Sequence, residues 1–270
     1  MKKIIALAMA GLMAASALAG CGGSKTDTDW DYIKNKGEMV IGITYFEPMN
    51  YKDDNGELTG FETEFAQAVC DELGVKAKFQ EINWDSKEVE LNTKTIDCIW
   101  NGMTINDERK EAMNITNAYM QNKQVMVCKK DNVSKFSTKE GVKGASVVAE
   151  AGSAGEEVAQ GDDFFKKARY IAADSQAKAL LEVKAGTSDI ALIDYVMSIG
   201  TLRSGSDYGD LSVVEAQSFS PEEYGVAFRK DSNTTDKVNE AMQKVADSGK
   251  LGEIAEKYNL SDLVLLKKAS

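Results

Sequence analysis

Two oppositely charged side chains define the chemistry open to this chain. Arg109 closes the stretch Asn101-Gly-Met-Thr-Ile-Asn-Asp-Glu-Arg109. A guanidinium there can hold a carboxylate through two parallel charge-assisted hydrogen bonds, and the hydroxyl of Thr104 stands within reach in the same stretch. Asp194 supplies the opposite charge. It directly follows the apolar run Ile190-Ala-Leu-Ile193, so its carboxylate should emerge at a strand's carboxyl end, where α/β proteins receive ligands. Each residue also has an ordinary explanation. Arg109 fits a surface pair with Glu108 or Glu111, Thr104 a cap or a packed β-branched side chain, and Asp194 an N-cap for a helix starting at Tyr195.

The elements that must position these groups alternate between strand and helix. Ile96-Asp-Cys-Ile-Trp100 reads as a buried strand broken at Asn101-Gly102. Asn106-Asp107-Glu108 then reads as a helix opening, an N-cap followed by acids. Upstream, Met39-Val-Ile-Gly-Ile43 and Val75 to Phe79 read as strands. Between them Phe61, Phe65, Val69 and Leu73 recur at helical spacing, with Gly74 as the stop, and Val89 and Leu91 belong to a helix feeding Ile96.

A second group begins near Gln124-Val-Met-Val-Cys128 and echoes the first. Ala145-Ser-Val-Val-Ala149 is a strand. Ala177, Leu180, Leu181 and Lys184 form an amphipathic helix stopped by Gly186, and Asp189-Ile-Ala-Leu-Ile193 parallels Asp97-Cys-Ile-Trp100. Gly152-Ser-Ala-Gly155 lies after a strand and before Glu156-Glu157, where a helix should begin. Backbone N–H groups at a helix start attract anions. After Pro221-Glu-Glu-Tyr-Gly-Val-Ala-Phe228 come two helices, one using Val238, Ala241, Met242 and Val245, the other Leu251, Ile254, Ala255 and Tyr258.

Composition narrows the class. Lys plus Arg number 32 against 43 Asp plus Glu, a net charge of −11, which argues against nucleic acid and against anionic lipid headgroups. The absence of His lowers the odds of a zinc site or a His-based triad. Cys70, Cys98 and Cys128 match no zinc spacing and read as buried, inert thiols, with a Cys70–Cys98 disulfide as the alternative. Residues 1–20 form a processing signal: Lys2 and Lys3, then an apolar stretch from Ile4 to Ala19. Leu18-Ala19-Gly20-Cys21 resembles the lipobox of bacterial lipoproteins, which implies cleavage before Cys21 and lipidation of its sulfur. Residues 21–29 are then a flexible polar tether.

Several segments together resemble the amino-acid-binding proteins that serve ABC importers. They are the Thr104 to Arg109 loop, Gly42-Ile-Thr-Tyr-Phe-Glu-Pro-Met49, Gly56-Glu-Leu-Thr-Gly-Phe-Glu62, Asp189-Ile-Ala-Leu-Ile-Asp194 and Glu223-Tyr-Gly-Val-Ala-Phe228, in the family's order. The resemblance implies an α/β, two-lobe periplasmic-binding-protein-like fold of type II, with a ligand cleft between the lobes. Residues 30–121 and 219–270 would form lobe one and 122–218 lobe two. Two crossing strands, near residues 119–123 and 215–222, would form the hinge.

The same resemblance assigns the site. Arg109 and Thr104 hold the ligand's carboxylate, with the backbone around Asn101 and Gly102 adding polar groups, and Asp194 binds its α-ammonium. The turn at Ser153 and Ala154 adds contacts from lobe two. Ser153 keeps the family's hydroxyl, whereas Ala154 departs from the pattern and leaves only a backbone contact. Trp84 aligns with a wall position. A second wall aromatic falls near Phe46, but the loop is one residue shorter than usual, so Tyr45, Phe46 or Glu47 could face the ligand. Relatives selective for basic amino acids commonly carry an acid where Thr44 stands here, so a neutral polar or aromatic amino acid is the expected ligand, with Glu47 as a possible compensating acid. The expectation is therefore a monomeric, extracytoplasmic binder without cofactor or metal, anchored through Cys21 and serving an ABC permease. The alternatives are a dehydratase-type enzyme on the same scaffold, for which Glu47 and Glu88 are further candidate acids, and a sensing module for a partner receptor.

Overall fold

The computed structural model describes residues 28–203 and 205–268. Residues 1–27, and with them the signal, Cys21 and most of the tether, lie outside that range. In the described residues the strands are β1 (Glu38–Ile43), β2 (Tyr51–Lys52), β3 (Leu58–Thr59), β4 (Lys76–Glu81), β5 (Cys98–Thr104) and β6 (Met113–Ile115). They continue as β7 (Met120–Lys129), β8 (Ser146–Glu150), β9 (Arg169–Ala173), β10 (Ile190–Asp194), β11 (Leu211–Val213) and β12 (Pro221–Arg229).

β2 and β3 pair as a small ribbon; the rest join in one curled sheet of order β4-β1-β5-β12-β7-β10-β8-β9, with β6 beside β12 and β11 beside β7. The chain thus makes two α/β halves. In the first, β1 is parallel to β4 and β5; in the second, β8 is parallel to β9 and β10. The halves meet where β7 and β12 run antiparallel, Met120 opposite Tyr224 and Lys123 opposite Pro221. These are the two crossing strands that the resemblance implies. The second crossing pairs residues 221–224, overlapping the expected stretch only at 221–222. The C-terminal chain follows the same junction: Gln121 N–H donates to Leu263 O and Leu265 N–H to Tyr119 O.

The echo between Asp97 and Asp189 has a structural cause. Each side chain takes a donor of the neighbouring parallel strand one residue ahead of where their ladder begins, Asp97 accepting from Val40 N–H at 2.7 Å and Asp189 from Ser146 N–H at 2.8 Å. A carboxylate at that point satisfies a backbone donor that would otherwise lie unpaired. The helices Phe61–Leu73 and Gln176–Ala185 end at Gly74 and Gly186, both in the left-handed conformation, as their spacing predicts.

Two local expectations are corrected. β5 does not stop at Asn101-Gly102 but runs through Thr104, because β12 keeps pairing with it at Met103 and Thr104. Trp100, Asn101 and Gly102 together face only Val226, so β5 bulges there, with Gly102 at φ +54°. A bulge bends the strand and re-aims its residues. The helix expected at Glu156 begins earlier, at Ala154, because Ser153 is its N-cap, accepting from Glu156 N–H at 3.2 Å.

Candidate ligand site between the halves

Ten residues enclose one small space: Trp84, Asn101, Gly102, Thr104 and Arg109 from the first half, and Glu150, Ser153, Ala154, Gln176 and Asp194 from the second. Eight of the nine positions expected from the sequence are among them. Phe46 is not. Its ring packs behind the bulge, 3.0 Å from where a Cβ on Gly102 would stand, and it belongs to the buried apolar core. Glu47 points elsewhere as well, pairing with Arg203 of the second half at 2.6 Å. Glu150 and Gln176 are the members that sequence reasoning missed.

Arg109 sits in the helix Asp107–Ala112, whose N-cap Asn106 accepts from Arg109 N–H at 2.8 Å. The guanidinium is buried, at 5% exposure. It donates to Thr104 O at 3.0 Å within its own half, and to Gly152 O at 3.4 Å and Glu157 Oε1 at 3.2 Å across the cleft. Glu108 and Glu111 are therefore not its partners. Asn101 lines the cavity, but its side chain braces the neighbouring loop, accepting from Thr44 N–H and Oγ1 and donating to Thr44 O and Asn50 Oδ1.

Asp194 occupies the N-cap position of the helix Tyr195–Thr201, but its side chain makes no capping bond. Its carboxylate accepts from three side-chain amides: Asn122 and Gln124 on β7 at Oδ1, and Gln176 at Oδ2. Gln176 also takes Asp194 N–H at 2.8 Å, so one side chain clamps both ends of the residue. Burial pushes the Asp194 carboxyl above its ordinary range, and the three amides oppose that. Asn122 and Gln124 donate to Glu222 on β12 as well, tying the site to the two crossing strands.

Negative charge is concentrated around this space. Burial, then repulsion from Asp194, pushes Glu222 up to about 7 and Glu150 up to about 8. Glu62, beneath the bulge, rises to about 7 through burial, although Tyr119 O–H and Gly102 N–H both donate to it. Lys87 is a second buried cation beside this space, donating to Gly152 O at 3.0 Å and Trp84 O at 3.3 Å and lying 5.1 Å from the Trp84 ring centroid. Burial and then Arg109 lower its affinity for the proton. No group of His, Cys, Asp and Glu able to hold a metal ion occurs among the described residues. Cys70, Cys98 and Cys128 are free and buried, and burial raises each thiol, Cys70 to about 12 and Cys128 to about 11.

The two halves touch across the cleft. At Gly152, φ +71°, an added Cβ would stand 3.1 Å from the Asp85 backbone. The enclosed volume is about 10 Å³, room for roughly one water. A larger ligand reaches Arg109 and Asp194 only if the halves separate and Arg109 gives up its bonds to Gly152 and Glu157.

Residues 39–261 match the bacterial extracellular solute-binding proteins, family 3. The chain belongs to that family. It is 29% identical to the L-cystine-binding protein TcyJ of Escherichia coli over 261 residues, covering 95% of this chain and 96% of the relative. It is 28% identical to the arginine-binding extracellular protein ArtP of Bacillus subtilis over 263 residues, covering 96% and 98%. Among solved structures, a histidine-bound ABC uptake transporter substrate-binding protein from Streptococcus pneumoniae superposes with a TM-score of 0.79 at 31% identity, over 88% of this chain and 98% of that one. Among the described residues no helix is long and apolar enough to cross a membrane.

Proposed function

We propose that this chain is the capture component of an ABC importer. It is an extracytoplasmic protein, lipid-anchored through Cys21, that encloses a free amino acid between two lobes and presents it to a membrane permease. Lobe one comprises residues 30–121 and 219–270, lobe two residues 122–218. One observation carries the reading: Arg109 from the first half and Asp194 from the second line the same enclosed space. A zwitterion needs a cation for its carboxylate and an anion for its ammonium, and here the two come from opposite sides. The relatives' names agree in kind, each specifying an amino acid.

Arg109, with Thr104 and the backbone of the β5 bulge, takes the carboxylate first, exchanging its bonds to Gly152 and Glu157 for the ligand. Asp194 and the Ser153 turn engage as the lobes close, and closure is favoured only by that differential contact. The energies suffice without a cofactor. Micromolar affinity is about −8 kcal/mol, and each hydrogen bond to a charged group contributes roughly 1.5–3 kcal/mol. Asp194 needs no reorganisation, because three amides already hold it in place.

The test is calorimetric titration of the protein with free amino acids found by a thermal-shift screen. Arg109→Ala and Asp194→Ala should each abolish measurable binding while leaving the circular dichroism spectrum unchanged. Undiminished affinity in either variant overturns that residue's role.

A further inference from the structure

We propose that Glu150 selects the ligand, and that the ligand is an α-amino acid whose side chain ends in a cation with several N–H donors, such as a guanidinium. The proposal rests on the amino-acid reading above and concerns only the third contact of the same site. Glu150 is the last residue of β8, 3% exposed, and lines the space shared with Arg109 and Asp194. Its Oε1 is buried and has no hydrogen-bond partner.

The other charges lining or bordering that space are already engaged. Asp194 holds three amides. Arg109 holds two carbonyls and Glu157. Lys87 donates to two carbonyls against the Trp84 face rather than to Glu150. A carboxylate shut away from water without a donor is strongly unfavourable, and here burial and the neighbouring Asp194 make it hold its proton, with Lys87 giving partial relief. A ligand that brings its own cation satisfies the buried oxygen and favours release of that proton, so that Glu150 pairs with it as a carboxylate. With Arg109 on the α-carboxylate and Asp194 on the α-ammonium, only the ligand's side chain is left to meet Glu150.

The expectation of a neutral ligand came from Thr44, where relatives of basic specificity carry an acid. In this structure Thr44 is turned to Asn101, which accepts from both its N–H and its hydroxyl. That position does not line the enclosed space in this structure, so the acid is sought among the residues that do. The acid has a different address in this chain, on the second half.

L-arginine and L-citrulline separate the possibilities, because they share length and shape and differ in a guanidinium against a neutral ureido group. Calorimetric titration of the wild-type protein should show arginine bound roughly 100-fold more tightly, and Glu150→Gln should shrink that ratio below about tenfold. Citrulline or L-glutamine bound as tightly as arginine by the wild type overturns the proposal while leaving amino-acid capture intact. So does a Glu150→Gln variant that keeps the wild-type ratio. If Glu150 instead donates its proton to a neutral acceptor, the wild type prefers citrulline, which also overturns it. Failure of every α-amino acid to bind overturns the parent reading and this one together. The wild-type ratio decides the matter even if the variant does not fold.

Discussion

Glu62 allows one consequence of the buried charge to be worked through in numbers. It lies in the first turn of the helix Phe61–Leu73, fully buried, and takes Gly102 N–H at 2.8 Å together with the Tyr119 hydroxyl on Oε1. Its Oε2 has no partner. Burial first, and Asp194 with it, raise the carboxyl from 4.5 to about 7. Below pH 4.5 the group is protonated in both folded and unfolded chains, so its contribution to stability is fully present. Between 4.5 and about 7 the unfolded chain releases a proton that the folded chain retains, and stability falls as pH rises. Above about 7 the loss is complete. That gap corresponds to about 3 kcal/mol. Glu62→Gln keeps the acceptor for Gly102 and Tyr119 but cannot ionise. Chemical denaturation of wild type and variant, free of ligand, should therefore diverge by about 1–3 kcal/mol in the variant's favour between pH 4.5 and pH 8. The readout is the change with pH, since an unpaired amide at the Oε2 position adds a penalty that does not titrate. Glu150 and Glu222 keep their own slopes in both proteins, so the difference isolates Glu62. Two stability curves that stay parallel across this window refute the reasoning.

Two further outcomes follow from the geometry of the bulge and of the acid clamp. Gly102→Ala places a side chain at φ +54° and a Cβ 3.0 Å from Phe46 and 3.3 Å from Tyr224; thermal and chemical unfolding should show a loss of roughly 1–3 kcal/mol, and unchanged stability would show that the bulge tolerates an ordinary residue. Gln176→Ala removes the two hydrogen bonds that Gln176 makes to Asp194, at Oδ2 and at the backbone N–H; titration with the screened amino acid should show affinity weakened roughly ten- to a hundredfold with the fold retained, and full affinity would mean that Asn122 and Gln124 suffice.

Much of the arrangement was legible because it is local. Apolar alternation and run length mark β1, β5, β8 and β10, and Gly74 and Gly186 end their helices where periodicity stops. Asp194 was visible as an acid directly behind an apolar strand, and Arg109 as a cation after a strand, loop and helix cap. These signals need no knowledge of the partner half, since strand ends and helix caps are set by neighbouring residues. The wall residue near Phe46 was less secure for the same reason. Loop length alone does not say which of three consecutive side chains faces inward.

What only the tertiary structure decided are relations between distant segments. Glu150 reads in the sequence as one more polar residue leaving a strand; its isolation is created by Lys87 turning to Gly152 O and Trp84 O instead. Gln176 is an unremarkable first helical residue until β10 brings Asp194 against it. Gly102 looked like a strand break, and became a bulge because β12, more than a hundred residues later, keeps pairing beyond it. Residue type and spacing establish what each group can bind. Which groups share a space, and which buried charge is left without a donor, depends on the sum of all neighbours, and those neighbours come from across the whole chain.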